Sequence, residues 1–263
     1  MRWQQRIRWP GISSSDPHFL RFVGLAPTWR LIVATVAASA TVLIMGSVAR
    51  SSTVGYGYGG VFFVIVSWPL VRPVLRSLQW TDATIWQTIL LVIASLAMGA
   101  AAQKILGFNP QSGRLQHLPW SSGQHLLWQF PLVLPVENLV LLGGLVALWQ
   151  LIRPRSGFER FMVGLVAAGV FGLWHVPVWG GWTLVVVSLT VFPWTVYLLA
   201  TGDMLVPMLA HLAMDTLAVL STAAPERAWF RVFVDPILLL SLLALGLMWS
   251  VYQEWRERHA RRW

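Results

Sequence analysis

Four ionisable side chains lie in stretches that are otherwise apolar enough to span a lipid bilayer. They are Glu137, His175, His211 and Asp215. A charged side chain at the centre of a bilayer costs at least about 2.5–3.5 kcal/mol, so such residues normally face one another or a water-filled cavity. Carboxylates and imidazoles can serve as general bases and as donors to a reacting substrate. The four residues therefore predict one shared site within the membrane.

The spacing of these residues fits helices. His211 and Asp215 are four residues apart, which places them on one helix face, where the carboxylate can accept the imidazole N–H and fix its tautomer. Phe171 and His175 have the same spacing. Any one polar residue alone is equally consistent with an interhelical hydrogen bond that only fixes packing. Together the four supply more titratable chemistry than packing requires, which favours a functional site.

The composition indicates a membrane protein. The 263 residues are 56% hydrophobic and only 11% charged, and their mean hydropathy is +0.63. A spanning helix needs about 20 mostly apolar residues. Eight stretches qualify, and they predict an all-α, polytopic membrane helix bundle of about eight transmembrane helices. They are Trp29–Val48, Gly59–Val74, Ala83–Ala102, Leu126–Ile152, Phe158–Val178, Gly181–Ala200, Met204–Ser221 and Pro236–Tyr252.

The basic residues predict the orientation. With the N-terminus inside, 14 of the 19 Lys and Arg residues fall in cytoplasmic segments, as the positive-inside rule requires. We therefore expect a cytoplasmic basic tail at 1–28, a transmembrane domain at 29–252 with its motif core at 126–221, and a second cytoplasmic basic tail at 253–263. Both termini are expected to be cytoplasmic. The net charge of +9 follows from this arrangement and does not require a nucleic-acid partner.

Several chemistries are disfavoured by what the sequence lacks. It has no cysteine, which excludes disulfides, thiol nucleophiles and thiolate metal sites. It also has no HExxH zinc-peptidase motif and no GxSxG serine-hydrolase motif. One Glu, two His and one Asp could still ligate Zn²⁺ with an open water position. We expect no cofactor, with Zn²⁺ as the alternative.

The motifs around these residues resemble those of the CPBP family of intramembrane endopeptidases. That family includes the CAAX prenyl proteases of the Rce1 type and the bacteriocin-processing or self-immunity proteins. Its pattern is EExxxRG, then FxxxH, then HxxxN/D. Phe171 to His175 match the second motif, and His211 to Asp215 match the third, with the usual TG and P lead-in. The first motif is incomplete, because Glu137 and the closing glycine match whereas Asn138 and Leu142 replace the second Glu and the Arg.

The resemblance implies peptide-bond hydrolysis without a covalent intermediate. Glu137 and His175 would activate water, and His211 and Asp215 would stabilise the oxyanion. An ionised Asp cannot donate to an oxyanion, so we favour an orienting role for Asp215 on His211. Asn138 and Phe171 are expected to support substrate binding.

The expected substrate is a membrane-embedded or lipid-anchored protein or peptide, such as a prenylated C-terminus, a leader peptide or the membrane anchor of an exported protein. The expected location is a bacterial inner membrane.

Three other functions compete. The first is a potassium channel, because Thr53–Gly57 spell the filter sequence TVGYG. Only four residues separate this run from the first predicted span, which is too few for a pore helix, so a glycine-rich outer turn is favoured. A binding or immunity protein that keeps the family fold without catalysis is the principal alternative. A transporter is the third, and its substrate flux would depend on Glu137. The longest predicted connection, 103–125, is interpreted as a lid or simply a loop.

Overall fold

The computed structural model describes residues 17–48, 52–109 and 119–223, and all regular structure in these ranges is helical. This confirms the all-α prediction. The helices are α1 (Pro17–Leu20), α2 (Thr28–Val48), α3 (Ser52–Val66), α4 (Trp68–Arg76), α5 (Thr84–Leu106), α6 (Trp120–Ile152), α7 (Gly157–Trp179), α8 (Thr183–Thr201) and α9 (Leu205–Ala223).

Six of these helices are long and apolar enough to cross a membrane, and a seventh crossing is obtained if the bent pair α3 and α4 counts as one span. They are α2, α5, α6, α7, α8 and α9, and they match six of the predicted stretches to within a few residues at most ends. The eighth predicted stretch, Pro236–Tyr252, lies outside the described residues. The prediction of a polytopic membrane bundle is confirmed, and the predicted count of about eight is roughly consistent with it.

The second predicted span, Gly59–Val74, is not one straight helix. It is divided between α3 and α4, which meet at an angle of 95°. Pro69 lies in the first turn of α4, where its missing N–H is tolerated. In a continued α3 the same proline would remove a hydrogen bond and clash with the carbonyl four residues earlier, so the helix has to break here. The last bond of α3 is from the Ser67 N–H to the Phe63 carbonyl, at 2.8 Å.

The interpretation of Thr53–Gly57 as an outer turn is wrong, because these residues lie in α3. Backbone carbonyls inside a helix accept hydrogen bonds from their own helix, so they are not free to replace the hydration shell of an ion as a channel filter does. Part of the predicted connection 103–125 is helical as well, since α5 continues to Leu106 and α6 begins at Trp120. Residues 110–118 lie outside the described part.

Polar contacts bring one set of helix ends to the same side of the bundle. Arg30, at the start of α2, donates to the Val66 carbonyl at the end of α3. Gln150, near the end of α6, donates to the Ala26 carbonyl at 3.0 Å, just before α2. Arg21 donates to the Gly202 carbonyl at 3.0 Å, between α8 and α9. The starts of α2 and α9 therefore lie beside the ends of α3, α6 and α8, so successive spans alternate in direction.

This end of the bundle also carries most of the basic residues. Seven of the eight described Lys and Arg residues belong to it, whereas Lys104 is near the end of α5, on the opposite side. The positive-inside rule predicts that this end faces the cytoplasm. The orientation of the termini stays a prediction.

Asp203 starts the helix that carries the second candidate histidine. Its Oδ1 accepts the Leu205 N–H at 2.9 Å, and the Tyr197 hydroxyl donates to its Oδ2 at 3.3 Å. Burial raises the pKa of the Asp203 carboxyl above its ordinary value, although the hydrogen bond from Leu205 opposes this. The side chain thus satisfies a backbone donor that the first turn of a helix leaves without a partner.

Small residues set the close packing of α7 on α8. A Cβ at Gly172 would lie 2.7 Å from the Leu184 carbonyl oxygen and would also overlap the Ser188 hydroxyl. A Cβ at Gly164 would lie 3.2 Å from the Thr195 hydroxyl. Membrane helices associate through van der Waals packing and interhelical contacts, and small residues let their backbones approach. Gly172 is three residues before His175, so this contact also fixes the position of the histidine.

We predict that Gly172→Ala destabilises the protein by about 1–3 kcal/mol, the usual cost of overpacking a close contact. The matched control is Gly169→Ala in the same helix, because a Cβ there meets nothing within 4 Å. The control should be neutral or slightly stabilising, since alanine favours a helix interior more than glycine does. Thermal unfolding of the purified protein in detergent measures both. Equal midpoints for the two variants would contradict the proposed contact.

Candidate active site

The four predicted site residues lie on three neighbouring helices. Glu137 belongs to α6, His175 to α7, and His211 and Asp215 to α9. Three of them are buried, with exposed fractions of 4%, 8% and 7% for Glu137, His175 and His211. The Asp215 side chain is 41% exposed. The site is therefore an interior one with a single more accessible acid.

Glu137 and His175 form the first pair. The Glu137 Oε2 atom lies 3.7 Å from the His175 Nε2 atom, which is beyond hydrogen-bonding distance. On the other side of the ring, His175 Nδ1 lies 2.8 Å from the Phe171 carbonyl oxygen. A carbonyl only accepts, so Nδ1 carries the proton and a neutral ring presents its lone pair at Nε2. Two acceptors then lie next to each other, and a water molecule beside the pair, within hydrogen-bonding distance of both, could donate one proton to each.

Asn138 contacts His211 at the Nδ1 atom of its ring. The Asn138 Nδ2 atom donates to the Leu134 carbonyl at 3.0 Å, and this bond fixes which way the amide points. The same Nδ2 lies 3.1 Å from His211 Nδ1. His211 Nδ1 therefore accepts, and the neutral ring carries its proton on Nε2. The two candidate histidines thus adopt opposite tautomers, one with an acceptor and the other with a donor at Nε2.

Asp215 lies on the Nε2 side of His211, with its Oδ2 atom at 3.7 Å. This spacing agrees with the expected placement of both residues on one helix face. The contact that fixes the His211 tautomer, however, comes from Asn138 and not from Asp215. The sequence motif does not reveal this, because Asn138 and His211 lie on different helices and 73 residues apart.

The residues around His175 and the residues around His211 lie in one region of the bundle. Glu137 and Asn138 are consecutive residues of α6, and each faces a different histidine. Asp215 also lies within electrostatic range of both Glu137 and His175. The structure therefore brings the four predicted residues together as two pairs that α6 joins.

Phe171 supports the site without being open to it. Its side chain is 3% exposed, and its ring centroid lies 4.8 Å from that of His175. Its carbonyl accepts from the same imidazole. These contacts give Phe171 a supporting role through His175.

Aromatic residues that the motifs do not include also surround the histidines. Tyr56 stacks on His175 with ring centroids 5.2 Å apart, and Trp174 packs edge-on against both of these rings. Trp194 lies 4.8 Å from His211, ring to ring. Tryptophans of membrane proteins are enriched at span ends, whereas Trp174 and Trp194 are buried in the core. The available signal was an aromatic residue adjacent to a motif histidine or in the middle of a predicted span.

The described residues contain no group of three or more His, Asp or Glu side chains arranged to hold a metal ion. The candidate residues approach one another in pairs, with Glu137 and Asp215 each 3.7 Å from one histidine. The chemistry below is derived from these pairs, and Zn²⁺ remains the alternative.

An apolar groove of about 430 Å³ runs between α4, α6 and α9. Its lining includes Pro135 and Leu139 of α6 together with Met208 of α9, and none of the candidate catalytic residues contributes to it. Pro135 and Leu139 are each two residues from Glu137, which places them about 200° around the helix axis. The groove therefore faces away from the Glu137 carboxylate.

Comparison with known proteins identifies one family. Residues 119–217 match the family model described as "Type II CAAX prenyl endopeptidase Rce1-like". No curated protein and no solved structure matches the chain. The matched segment contains all four candidate residues, and it confirms the resemblance to CPBP-family intramembrane proteases that the motifs indicate. The match supports an intramembrane endopeptidase activity of the CAAX type in general.

We predict that Asn138→Asp reverses the tautomer of His211. A carboxylate only accepts, so His211 Nδ1 must then carry the proton. ¹⁵N chemical shifts of labelled histidine in detergent distinguish the two tautomers, with His211→Gln used for assignment. The His175 signals serve as the internal control, because the Phe171 carbonyl still holds that ring. An unchanged His211 tautomer would contradict the amide orientation described above.

Proposed function

We propose that this chain is an intramembrane endopeptidase in which Glu137 and His175 activate water to hydrolyse a peptide bond of a membrane-embedded or lipid-anchored substrate. The observation that carries the proposal is the gap of 3.7 Å between the Glu137 carboxylate and His175 Nε2. It lies inside a segment that matches the Rce1-like endopeptidase family.

The nucleophile in this proposal is a water molecule that lies beside the two acceptors and hydrogen-bonds to both. Glu137 removes one of its protons, and His175 Nε2 orients it by accepting the other hydrogen bond. General-base catalysis of this type contributes about 10²–10⁴-fold to a rate. The fixed Nδ1–H to carbonyl bond keeps the acceptor edge of His175 turned towards the water.

The oxyanion in this proposal is stabilised by His211. Its neutral ring presents Nε2–H, because Asn138 occupies Nδ1. A donor placed in advance at a developing oxyanion lowers the barrier by about 2.7–4 kcal/mol in soluble proteases. Asp215 lies on the same side at 3.7 Å and restrains this edge of the ring until the substrate oxygen arrives.

Collapse of the tetrahedral intermediate completes the reaction. The oxygen from water has formed the new C–O bond, the C–N bond breaks, and the proton held by Glu137 passes to the leaving amine. The products are a carboxylic acid and an amine, which become a carboxylate and an ammonium group once the acid proton passes to the amine, and Glu137 returns to its ionised form. No covalent bond to the protein and no redox partner is needed.

The incomplete first motif is compatible with this chemistry. Asn138 and Leu142 are both fully buried. A second Glu at 138 and an Arg at 142 would be four residues apart on one helix, so the loss of both removes a buried pair without leaving an unpaired charge. Asn138 instead supplies a neutral donor to His211, which keeps the proton on the ring atom that the oxyanion needs.

A membrane-attached substrate suits the depth of the site. Glu137 lies near the middle of a 33-residue helix, and its surroundings are apolar. A peptide reaches such a site at lower cost if a lipid group or a hydrophobic anchor already holds it in the bilayer. We therefore propose lipid-modified C-termini, as the name of the matched family suggests, as the first substrates to test.

Glu137→Gln tests the proposal directly. It preserves shape but removes the base, so kcat should fall by at least about 10²-fold while KM changes little. The assay uses proteoliposomes and a farnesylated, fluorogenic peptide with a C-terminal CAAX sequence, followed by cleavage rate. The matched control is Glu159→Gln, because Glu159 is the exposed acid of the α7 capping box and glutamine also serves in that role. This control should cleave at the wild-type rate.

The same assay distinguishes the alternative of a catalytically inactive binding or immunity protein. Under that alternative, wild type and Glu137→Gln bind the peptide equally and neither cleaves it above the rate of empty liposomes. Cleavage that survives Glu137→Gln would contradict the proposed base.

Metal dependence provides a separate prediction. Because the proposed chemistry uses water activated by Glu137 and His175, incubation with 1,10-phenanthroline and dialysis should leave the cleavage rate within about twofold of the untreated protein. Loss of activity that added Zn²⁺ restores would instead establish the zinc alternative. A thermal unfolding scan of the dialysed protein controls for denaturation.

A further inference from the structure

We propose that Tyr56 is a positioning residue for His175, and that the segment spelling TVGYG acts in the reaction by holding the imidazole over Glu137. The inference rests on the proposed function and extends it to α3, which lies outside the matched residues 119–217.

The contact is a stacking arrangement. The Tyr56 and His175 rings are 5.2 Å apart between centroids, with an interplanar angle of 27°. The Phe171 ring centroid lies 4.8 Å from that of the same imidazole, with an interplanar angle of 52°. The Trp174 ring packs edge-on against this imidazole, with a centroid distance of 5.8 Å. Tyr56 is 5% exposed, so its ring is held by the surrounding core. The imidazole thus has an aromatic ring against it from a helix other than its own.

The glycines of the same segment explain how α3 comes close enough. A Cβ at Gly60 would overlap the Val136 side chain, and a Cβ at Gly57 would lie 3.6 Å from Val133. Gly60 is one turn after Tyr56 on the same helix face, and Val136 precedes Glu137 directly. The α3 backbone therefore rests against α6 beside the proposed base, and Tyr56 projects from this contact onto the proposed water-orienting histidine.

The stacked ring has one consequence for the reaction. It restricts rotation of the imidazole, so that Nε2 stays directed towards Glu137 and the water. The titratable groups near His175 on the other helices are Glu137 of α6, at 3.7 Å, and Asp215 of α9, within electrostatic range. Tyr56 is the contribution of α3 to this environment.

The test compares Tyr56→Leu, Tyr56→Phe and Tyr58→Leu in full-length protein. Leucine keeps the position apolar but removes the ring, whereas phenylalanine keeps the ring. Tyr58 is the matched control, because it lies two residues further along α3 and its side chain is 55% exposed. Cleavage of the farnesylated peptide in proteoliposomes gives kcat and KM. ¹H–¹³C spectra of labelled histidine in detergent give the ring-current shift of the His175 imidazole.

We expect Tyr56→Leu to lower kcat by about fivefold or more with KM within about twofold, because loss of the ring frees the imidazole that orients the water and leaves substrate binding unchanged. Tyr56→Phe and Tyr58→Leu should retain wild-type values. In Tyr56→Leu only, the His175 ring protons should lose the part of their ring-current shift that Tyr56 contributes, while the part from Phe171 and Trp174 remains. A wild-type kcat in Tyr56→Leu would overturn the proposal. So would an equal loss of kcat in Tyr56→Phe, which would assign the effect to the hydroxyl.

The spectra separate this inference from the proposed function. If the wild-type protein cleaves no peptide, the proposed function fails, while the His175 signals still report whether Tyr56 holds the ring. If cleavage depends on Glu137 but the His175 signals are the same in wild type and Tyr56→Leu, the positioning role is wrong and the proposed function stands.

Discussion

The hydrogen-bonding contact between Asn138 and His211 ties the two halves of the candidate site together. It joins α6 to α9 across 73 residues of sequence, and the adjacent Glu137 reaches the histidine of α7. Buried polar groups in lipid have no water to satisfy them, so each partner found within the bundle lowers the cost of burial. Asn138 Nδ2 and both histidines have such partners, whereas Asn138 Oδ1 has none among the described residues. The positions of the motif helices, and with them the chemistry of both histidines, depend on these contacts.

The cost of burial also explains why the sequence was informative here. Apolar length alone predicts six of the spans, because the bilayer fixes how long a spanning helix must be. The four ionisable residues stand out against such a background, and the structure brings them together. The break at Pro69 was not predicted, because the hydropathy of Gly59–Val74 is continuous across it. The tautomers of the two histidines could not be predicted from the sequence either, since they depend on a carbonyl near one ring and an amide near the other, which only the folded chain brings there.

The departures in the first motif follow from local chemistry. Gly143, the closing glycine of the pattern, allows close packing: a Cβ there would overlap the buried ring of Phe63 in α3. Asn138 and Leu142, by contrast, lie where a buried acid and base would each need the other. Replacing a buried ion pair by neutral groups of suitable size often costs little, whereas keeping one member alone is costly. The glycine thus allows close packing of the interior, and the paired replacements avoid an unpaired charge in it.

The packing of Phe63 against Gly143 and of Gly60 against Val136 shows that α3 interlocks with α6 along the stretch that bears Glu137. Large and small residues alternate between the two helices, so neither can slide or rotate without overlap. A motif search restricted to α6, α7 and α9 omits this helix, although it supplies one wall around His175 through Tyr56. Since an off-axis shift of an imidazole by about 1 Å can cost a reaction about 10²-fold, the precision of the site is a property of α3 as well as of the motif helices.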